Sequence, residues 1–304
     1  MPNVLERLPN GARVLVIRLR SLGDCVLTTP AIHILKSHRP DLRIAVAVEP
    51  RFAPVFADNP DIDELTEPRA AAAARWRAKL ALNLHGGTRS MVLTAASGAG
   101  LRAGFAHFRG QALYNVPIPR AQEILGIERK VHTAEHLASA IFHLGAPQCE
   151  IPRARLFAKE TAQRAPYAVL HPMASAPSKT WPAERFLAIA GQLRERWELE
   201  PVFIAGPGED VSAFTGFEVI AGAPLDRVKS LLRGASLFVG NDSGPAHMAA
   251  AFGLPLLVLF GSSDPEVWAP WRTTAEVLIA PGGDVRGIRQ ADALQALERL
   301  RVRA

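Results

Sequence analysis

The feature that most limits the fold of this chain is a repeated alternation. Short apolar runs of strand length are followed by amphipathic stretches of helical period, and the series occurs twice. Such alternation marks βαβ units and a mostly parallel sheet covered by helices on both faces. In the first half, residues 13–19 (RVLVIRL), 43–48 and 79–84 read as strands. A helix is expected from about residue 28 to 37, carrying Pro30 at a plausible first helical position after Thr29, where a missing N–H costs nothing. In the second half, residues 167–171, 202–205, 217–220, 237–240 and 256–260 read as strands, separated by helical patterns at 183–197, 226–234 and 246–252. An amphipathic helix near 128–144 stops at Gly145, and Pro147, Pro152 and Pro166 break the stretch that follows. At roughly 150 residues per domain, 304 residues predict two α/β domains, 1–158 and 159–304, with ligands at the carboxyl ends of the strands.

Composition narrows the class. With 48% hydrophobic and 21% charged residues, the chain has the balance of a packed globular protein and not of a disordered or coiled-coil one. The two cysteines, Cys25 and Cys149, are too few for a disulfide framework, which favours a reducing compartment. Neither a signal-peptide pattern nor an uncharged apolar run of about 18 residues is seen, so the expectation is a soluble or peripheral protein. The net charge of +6 is uneven. Residues 1–150 hold 18 basic and 13 acidic side chains, whereas 151–304 hold 17 and 16, so an anionic partner of the first half competes with a merely solvated surface.

Four strand-to-loop-to-helix junctions carry polar groups suited to chemistry. The first, Arg18-Leu-Arg-Ser-Leu-Gly-Asp24, places a carboxylate at the end of the first strand, where it serves as a general base, a helix cap, or both. Cys25 beside it reads as a small buried hydrophobe. The second, His171 to Pro182, sets Ser175, Ser178, Lys179 and Thr180 before a helix, as a phosphate or diphosphate requires, against the alternative of an exposed loop. The third, Gly240 to His247, brings Asp242, Ser243 and Gly244 to a helix start, again either an anion site or a cap. In the fourth, Gly206-Pro-Gly-Glu209-Asp210, an acidic residue after a glycine turn suits a ribose diol or simply closes the turn.

Two further patterns carry less. Gly98-Ala-Gly100-Leu-Arg-Ala-Gly104 has its third glycine one residue late for a dinucleotide loop. His132-Thr-Ala-Glu135-His136 fits an inverted zinc-peptidase pattern, but no third ligand is marked, and a helix surface or inter-domain contact is the competing reading. There is no Walker loop.

Taken together, R-x-x-x-L-G-D at 18–24 with Thr28-Thr29-Pro30-Ala31, K-x-W-P at 179–182 and D-S-G-P-x-H at 242–247, continuing into Gly253-Leu-Pro255 and Leu259 to Pro265, resemble glycosyltransferase family 9, the heptosyltransferases. The resemblance covers most of the chain. It implies a GT-B fold, two doubly wound Rossmann-like domains facing each other across a cleft, with the last helix able to pack back on the first domain. It implies a metal-independent, inverting glycosyltransferase without cofactor, moving heptose from ADP-heptose to a lipopolysaccharide inner-core acceptor. In its terms Asp24 is the base and Lys179 contacts the donor phosphates. Ser175, Asp242, Ser243, Gly244 and His247 bind the rest of the donor, and Glu209 the ribose. Arg18 and Arg20, with Arg102 and Arg109 behind them, are candidates for the anionic acceptor. Some relatives have a second hydroxyl where Ala174 stands here. The implied setting is cytoplasmic, with peripheral contact at the inner face of the inner membrane and no nucleic-acid partner. Another GT-B enzyme, whether a transferase of a different sugar or a nucleotide-sugar epimerase, and a non-catalytic nucleotide-sugar binder are the competing readings.

Overall fold

The computed structural model describes residues 3–108, 110–160 and 164–303. It contains two compact units, Met1–Phe157 and Ala158–Ala304. In the first unit, strands β1 (Arg13–Ile17), β2 (Arg43–Ala47), β3 (Glu64–Thr66), β4 (Leu80–Asn83), β5 (Leu101–Phe105) and β6 (Val116–Ile118) form a parallel sheet in the order β3-β2-β1-β4-β5-β6. Its helices of nine or more residues are α1 (Leu22–His38), α2 (Thr88–Ala96) and α3 (Thr133–Leu144).

In the second unit, strands β7 (Tyr167–His171), β8 (Glu200–Ala205), β9 (Glu218–Ala221), β10 (Leu237–Asn241), β11 (Leu256–Phe260) and β12 (Ala275–Ile279) are ordered β12-β11-β10-β7-β8-β9. Helices α4 (Ala183–Trp197), α5 (Leu225–Gly234), α6 (Gly244–Phe252) and α7 (Gln290–Arg303) complete it. Each unit thus winds outward from a central strand pair, β1/β4 in one and β7/β10 in the other. Strand order reverses at those pairs, and ligands of doubly wound sheets bind beyond such points. The core strands are buried on both faces, as parallel strands under helices must be: β7, β10 and β11 have no exposed residue. The inner face of α7 (Ala293, Ala296, Leu297 and Leu300) packs into the core of the second unit.

The predicted start of α1 needs correction. The helix begins at Leu22, with Ser21 as cap, so Pro30 lies inside it and not at its first position. An interior proline leaves the carbonyl four residues earlier without an amide donor. Here that carbonyl, of Val26, accepts the Thr29 hydroxyl at 2.8 Å, which removes much of the cost. The loop glycines at 98–104 lead into strand β5 and not into a helix. Gly104 is required there because a Cβ would lie 2.5 Å from the Tyr114 ring. Among the described residues no helix is long and apolar enough to cross a membrane.

Candidate active site: two strand-end clusters

At the first reversal point, β1 ends beside β4, with Ile17 opposite Asn83. The chain then turns through Arg18 into α1, and Asp24 sits in the first helical turn. Its Oδ2 accepts the Ser21 hydroxyl at 3.0 Å and, at the limit of bonding distance, the Ser21 amide at 3.5 Å. Its Oδ1 lies 3.4 Å from the Arg18 guanidinium. The cap and base readings are therefore compatible, because the carboxylate keeps 24% of its side-chain surface. Cys25 is fully buried, and burial pushes its thiol up to about 12, the behaviour of a packed apolar group.

Arg18 itself is 5% exposed, and its guanidinium donates to the Leu84 carbonyl as well as facing Asp24. Arg20 is exposed. Arg102 donates to the carbonyls of Leu113 (2.8 Å) and Ala99 (3.0 Å), binding β5 to the segment before β6. Arg109 lies outside the described residues.

Three histidines join this end of the sheet. Burial, followed by the charge of Arg18, lowers His85, whose ring bonds the Arg20 carbonyl. His136, on α3, stacks on Phe105 with centroids 4.0 Å apart, and burial, with His107 and Arg18 adding to it, pushes it down to about 4. His107 is lowered by burial and by Arg120. The residues of the zinc-like pattern have separate tasks. His132 caps α3, its Nδ1 accepting the Ala134 amide at 3.1 Å. Glu135 completes the capping box and pairs with Arg129 at 2.6 Å.

At the second reversal point β7 ends at His171, opposite Gly240 of β10. His171 is buried, which pushes it down to about 4, so it is neutral near pH 7, and its Nδ1 shares a 3.0 Å hydrogen bond with Ser243 Oγ. Ser243 precedes α6, whose first turn opens with Gly244 and Pro245, so amides and the positive end of the helix dipole gather there. Asn241, fully buried, accepts the Trp181 amide at 3.2 Å and donates to the Pro172 carbonyl at 2.8 Å. Trp181 is 1% exposed and its indole donates to the Ile288 carbonyl at 2.9 Å, anchoring the loop in the core.

From that anchored loop Lys179 Nζ reaches Ser263 Oγ at 2.6 Å and stands 3.9 Å from Asp242 Oδ2. Lys179, Asp242, Ser243 and Gly244 are therefore brought together by β7, β10 and β11. Ser175 is exposed in the same loop. His247 is buried on α6 with its ring 6.5 Å from Trp268. Glu209 folds back, its Oε2 accepting the Gly206 amide at 2.6 Å, and so closes its own turn. Sequence reasoning assigned no individual role to His85, His171, Asn241 or Ser263, and read His136 only as half of the zinc-like pattern. His171 and Asn241 lay inside the junctions already singled out, and Ser263 was visible as one of a hydroxyl pair just after an apolar strand, whereas His85 carried no signal.

The strand orders and the two polar strand ends fit a glycosyltransferase of the GT-B type. The sequence profile described as "Glycosyltransferase family 9 (heptosyltransferase)" matches residues 74–294, and the chain belongs to that family. It is 27% identical over 293 residues to lipopolysaccharide heptosyltransferase 3 of Escherichia coli, covering 83% of this chain and 84% of the relative. Among solved structures, a family 9 glycosyl transferase from Veillonella parvula superposes with a TM-score of 0.84 at 20% identity, covering 97% of this chain and 98% of that one. The E. coli ADP-heptose lps heptosyltransferase II gives 0.80 at 21% identity, covering 96% and 99%.

Proposed function

We propose that the protein transfers a heptose from ADP-heptose to an anionic acceptor sugar of the lipopolysaccharide inner core, with inversion and without a metal. The observation that carries this reading is the Lys179 cluster at the start of α6, which offers a diphosphate an ammonium group, hydroxyls and helix-terminal amides. The names of the relatives, ADP-heptose and lipopolysaccharide heptosyltransferases, support the choice of donor and acceptor class.

In the proposed reaction an acceptor hydroxyl attacks the anomeric carbon from the face opposite the diphosphate. Asp24 takes the hydroxyl proton as the new C–O bond forms, a contribution of about 10² to 10⁴ in rate. The bond from the anomeric carbon to the diphosphate oxygen breaks, and ADP leaves with both electrons. Lys179, Ser243 and the first amides of α6 meet the charge that grows on it, from positions already fixed in the ground state. Ser175, Asp242 and His247 contact the remainder of the donor, and Glu209 reaches the ribose with the oxygen its turn leaves over. Arg20, exposed beside Asp24, meets acceptor anions. The excess of positive charge in residues 1–150 supports peripheral binding to anionic lipid, which sedimentation with phosphatidylglycerol vesicles tests.

The deciding experiment is incubation of purified protein with ADP-heptose and deacylated inner-core acceptor, followed by mass spectrometry. A mass gain of one heptose is expected. Release of heptose without an acceptor adduct, or isomerised donor, overturns the reading.

A further inference from the structure

We infer that Arg18 is a positioning residue for Asp24, fixing the carboxylate between the ends of β1 and β4, and not a ligand for the acceptor's anionic groups. The inference rests on Asp24 being the base.

Three observations carry it. First, Arg18 and Leu84 directly follow the last register pair of β1 and β4, Ile17 and Asn83, and the Arg18 guanidinium bridges the two strand ends by donating to the Leu84 carbonyl while facing Asp24 Oδ1 at 3.4 Å. One side chain thus ties the loop that carries the base to the neighbouring strand. Second, Arg18 is 5% exposed and its Nε is buried without a hydrogen-bond partner. A guanidinium taken out of water is expensive, and it persists here because a carboxylate and a carbonyl meet it. A cation that captures a large anionic acceptor needs an open face, as the exposed Arg20 has.

Third, Arg18 supplies the local field. The charged and titratable groups around it are Arg20, Asp24 and Cys25 on its own segment, Glu49 after β2, His85 after β4 and His136 on α3. Burial keeps both His85 and His136 from protonating, and the charge of Arg18 adds to it, after His107 in the case of His136. Neutral imidazoles leave the carboxylate without a competing cation on that side, so its orientation is set by Arg18 and by the Ser21 hydroxyl.

The test compares Arg18→Met, Arg18→Lys and Asp24→Asn in the full chain, with kcat and both KM values measured separately and His136 titrated by NMR. Arg18→Met is expected to lower kcat by about 10- to 100-fold, the scale of a misplaced reacting group, with both KM values within about twofold. Arg18→Lys, which keeps the charge, should recover part of kcat. In Arg18→Met the His136 titration should move up from about 4. A tenfold rise in acceptor KM at unchanged kcat overturns the inference and makes Arg18 an acceptor ligand. Should Arg18→Met fail to fold, the KM-against-kcat split of Arg18→Lys decides by the same criterion. Asp24→Asn inactive beside Arg18→Met at full kcat overturns the inference alone. Asp24→Asn at full turnover overturns the base reading and this inference with it.

Discussion

Each unit ends its fourth strand in a fully buried asparagine, and the two are wired differently. Asn83, at the end of β4, accepts the amides of His85 (3.0 Å) and Gly86 (3.2 Å) and donates to Ser90 and Tyr114. It organises its own turn and the helix that follows. Asn241, in the same place in the second sheet, reaches sideways to Pro172 and Trp181, in the loop after the adjacent strand. In the first unit that sideways task passes to Arg18 and the Leu84 carbonyl. One strand order therefore carries two kinds of strand-end. In the second unit uncharged hydrogen bonds seat a loop whose ammonium group reaches Ser263 and Asp242 beside the start of α6. In the first a buried cation orients a carboxylate that remains partly open to solvent. The proposed phosphate site needs a positive charge that a ligand can reach, and the proposed base needs an ion held still.

The sharpest way to break this contrast is Asp24→Asn, which keeps the shape and removes the base. Turnover should fall by about 10² to 10⁴ while ADP affinity, read by calorimetry, stays at the wild-type value. A parallel loss of ADP binding would mean that the two strand-ends are not functionally separate.

Next in size is acid sensitivity. The folded value of His171, about 4, lies below the ordinary 6.5, so the fold favours its neutral form. The sign follows: this contribution is complete above about pH 6.5 and is lost as pH falls towards 4, on the order of 3 kcal/mol in all. Urea unfolding at pH 7 and pH 5 should show the loss in wild type and a shallower one in His171→Gln.

Lys179→Ala should weaken ADP binding by about 10- to 150-fold, the equivalent of 1.5–3 kcal/mol for a charge-assisted contact. An unchanged ADP affinity in that variant would leave the second strand-end without its main assigned ligand group.

The smallest effect tests the asparagines directly. Asn241→Ala and Asn83→Ala should each cost about 1–3 kcal/mol of unfolding free energy by stranding buried partners. Only Asn241→Ala should also weaken ADP binding, because only Asn241 holds the lysine loop.

Much of the architecture was legible because a doubly buried strand has a plain signature. Residues 167–171 and 256–260 read as strands, and β7 and β11 span them. The strands that escaped notice are short or interrupted: β3 and β6 have three residues each, β5 contains Arg102 and Gly104, and β12 opens on Ala-Glu. The start of α1 was misplaced because Pro30 looks like a beginning, and the hydroxyl that replaces its amide is a three-dimensional fact. The D-S-G and K-x-W-P residues were legible as a polar loop at a helix start. What spacing cannot show is the direction of a side chain. Arg18 and Arg20 are two residues apart and read alike, yet one is buried against Asp24 and the other is exposed. His136 likewise looked like half of a metal pattern and proves to be an aromatic neighbour of Phe105.

Gly261, just beyond β11, has a bearing on how this enzyme can be altered. A Cβ there would lie 2.7 Å from the Ser178 carbonyl and 3.1 Å from that of Gly283, both backbone atoms that cannot simply rotate away. The residue before Lys179 is thus seated against the chain after β11 at a distance that leaves no room for a side chain at Gly261. A methyl added at Gly261 would push the Ser178 and Gly283 backbones apart and so shift the stretch that carries Lys179.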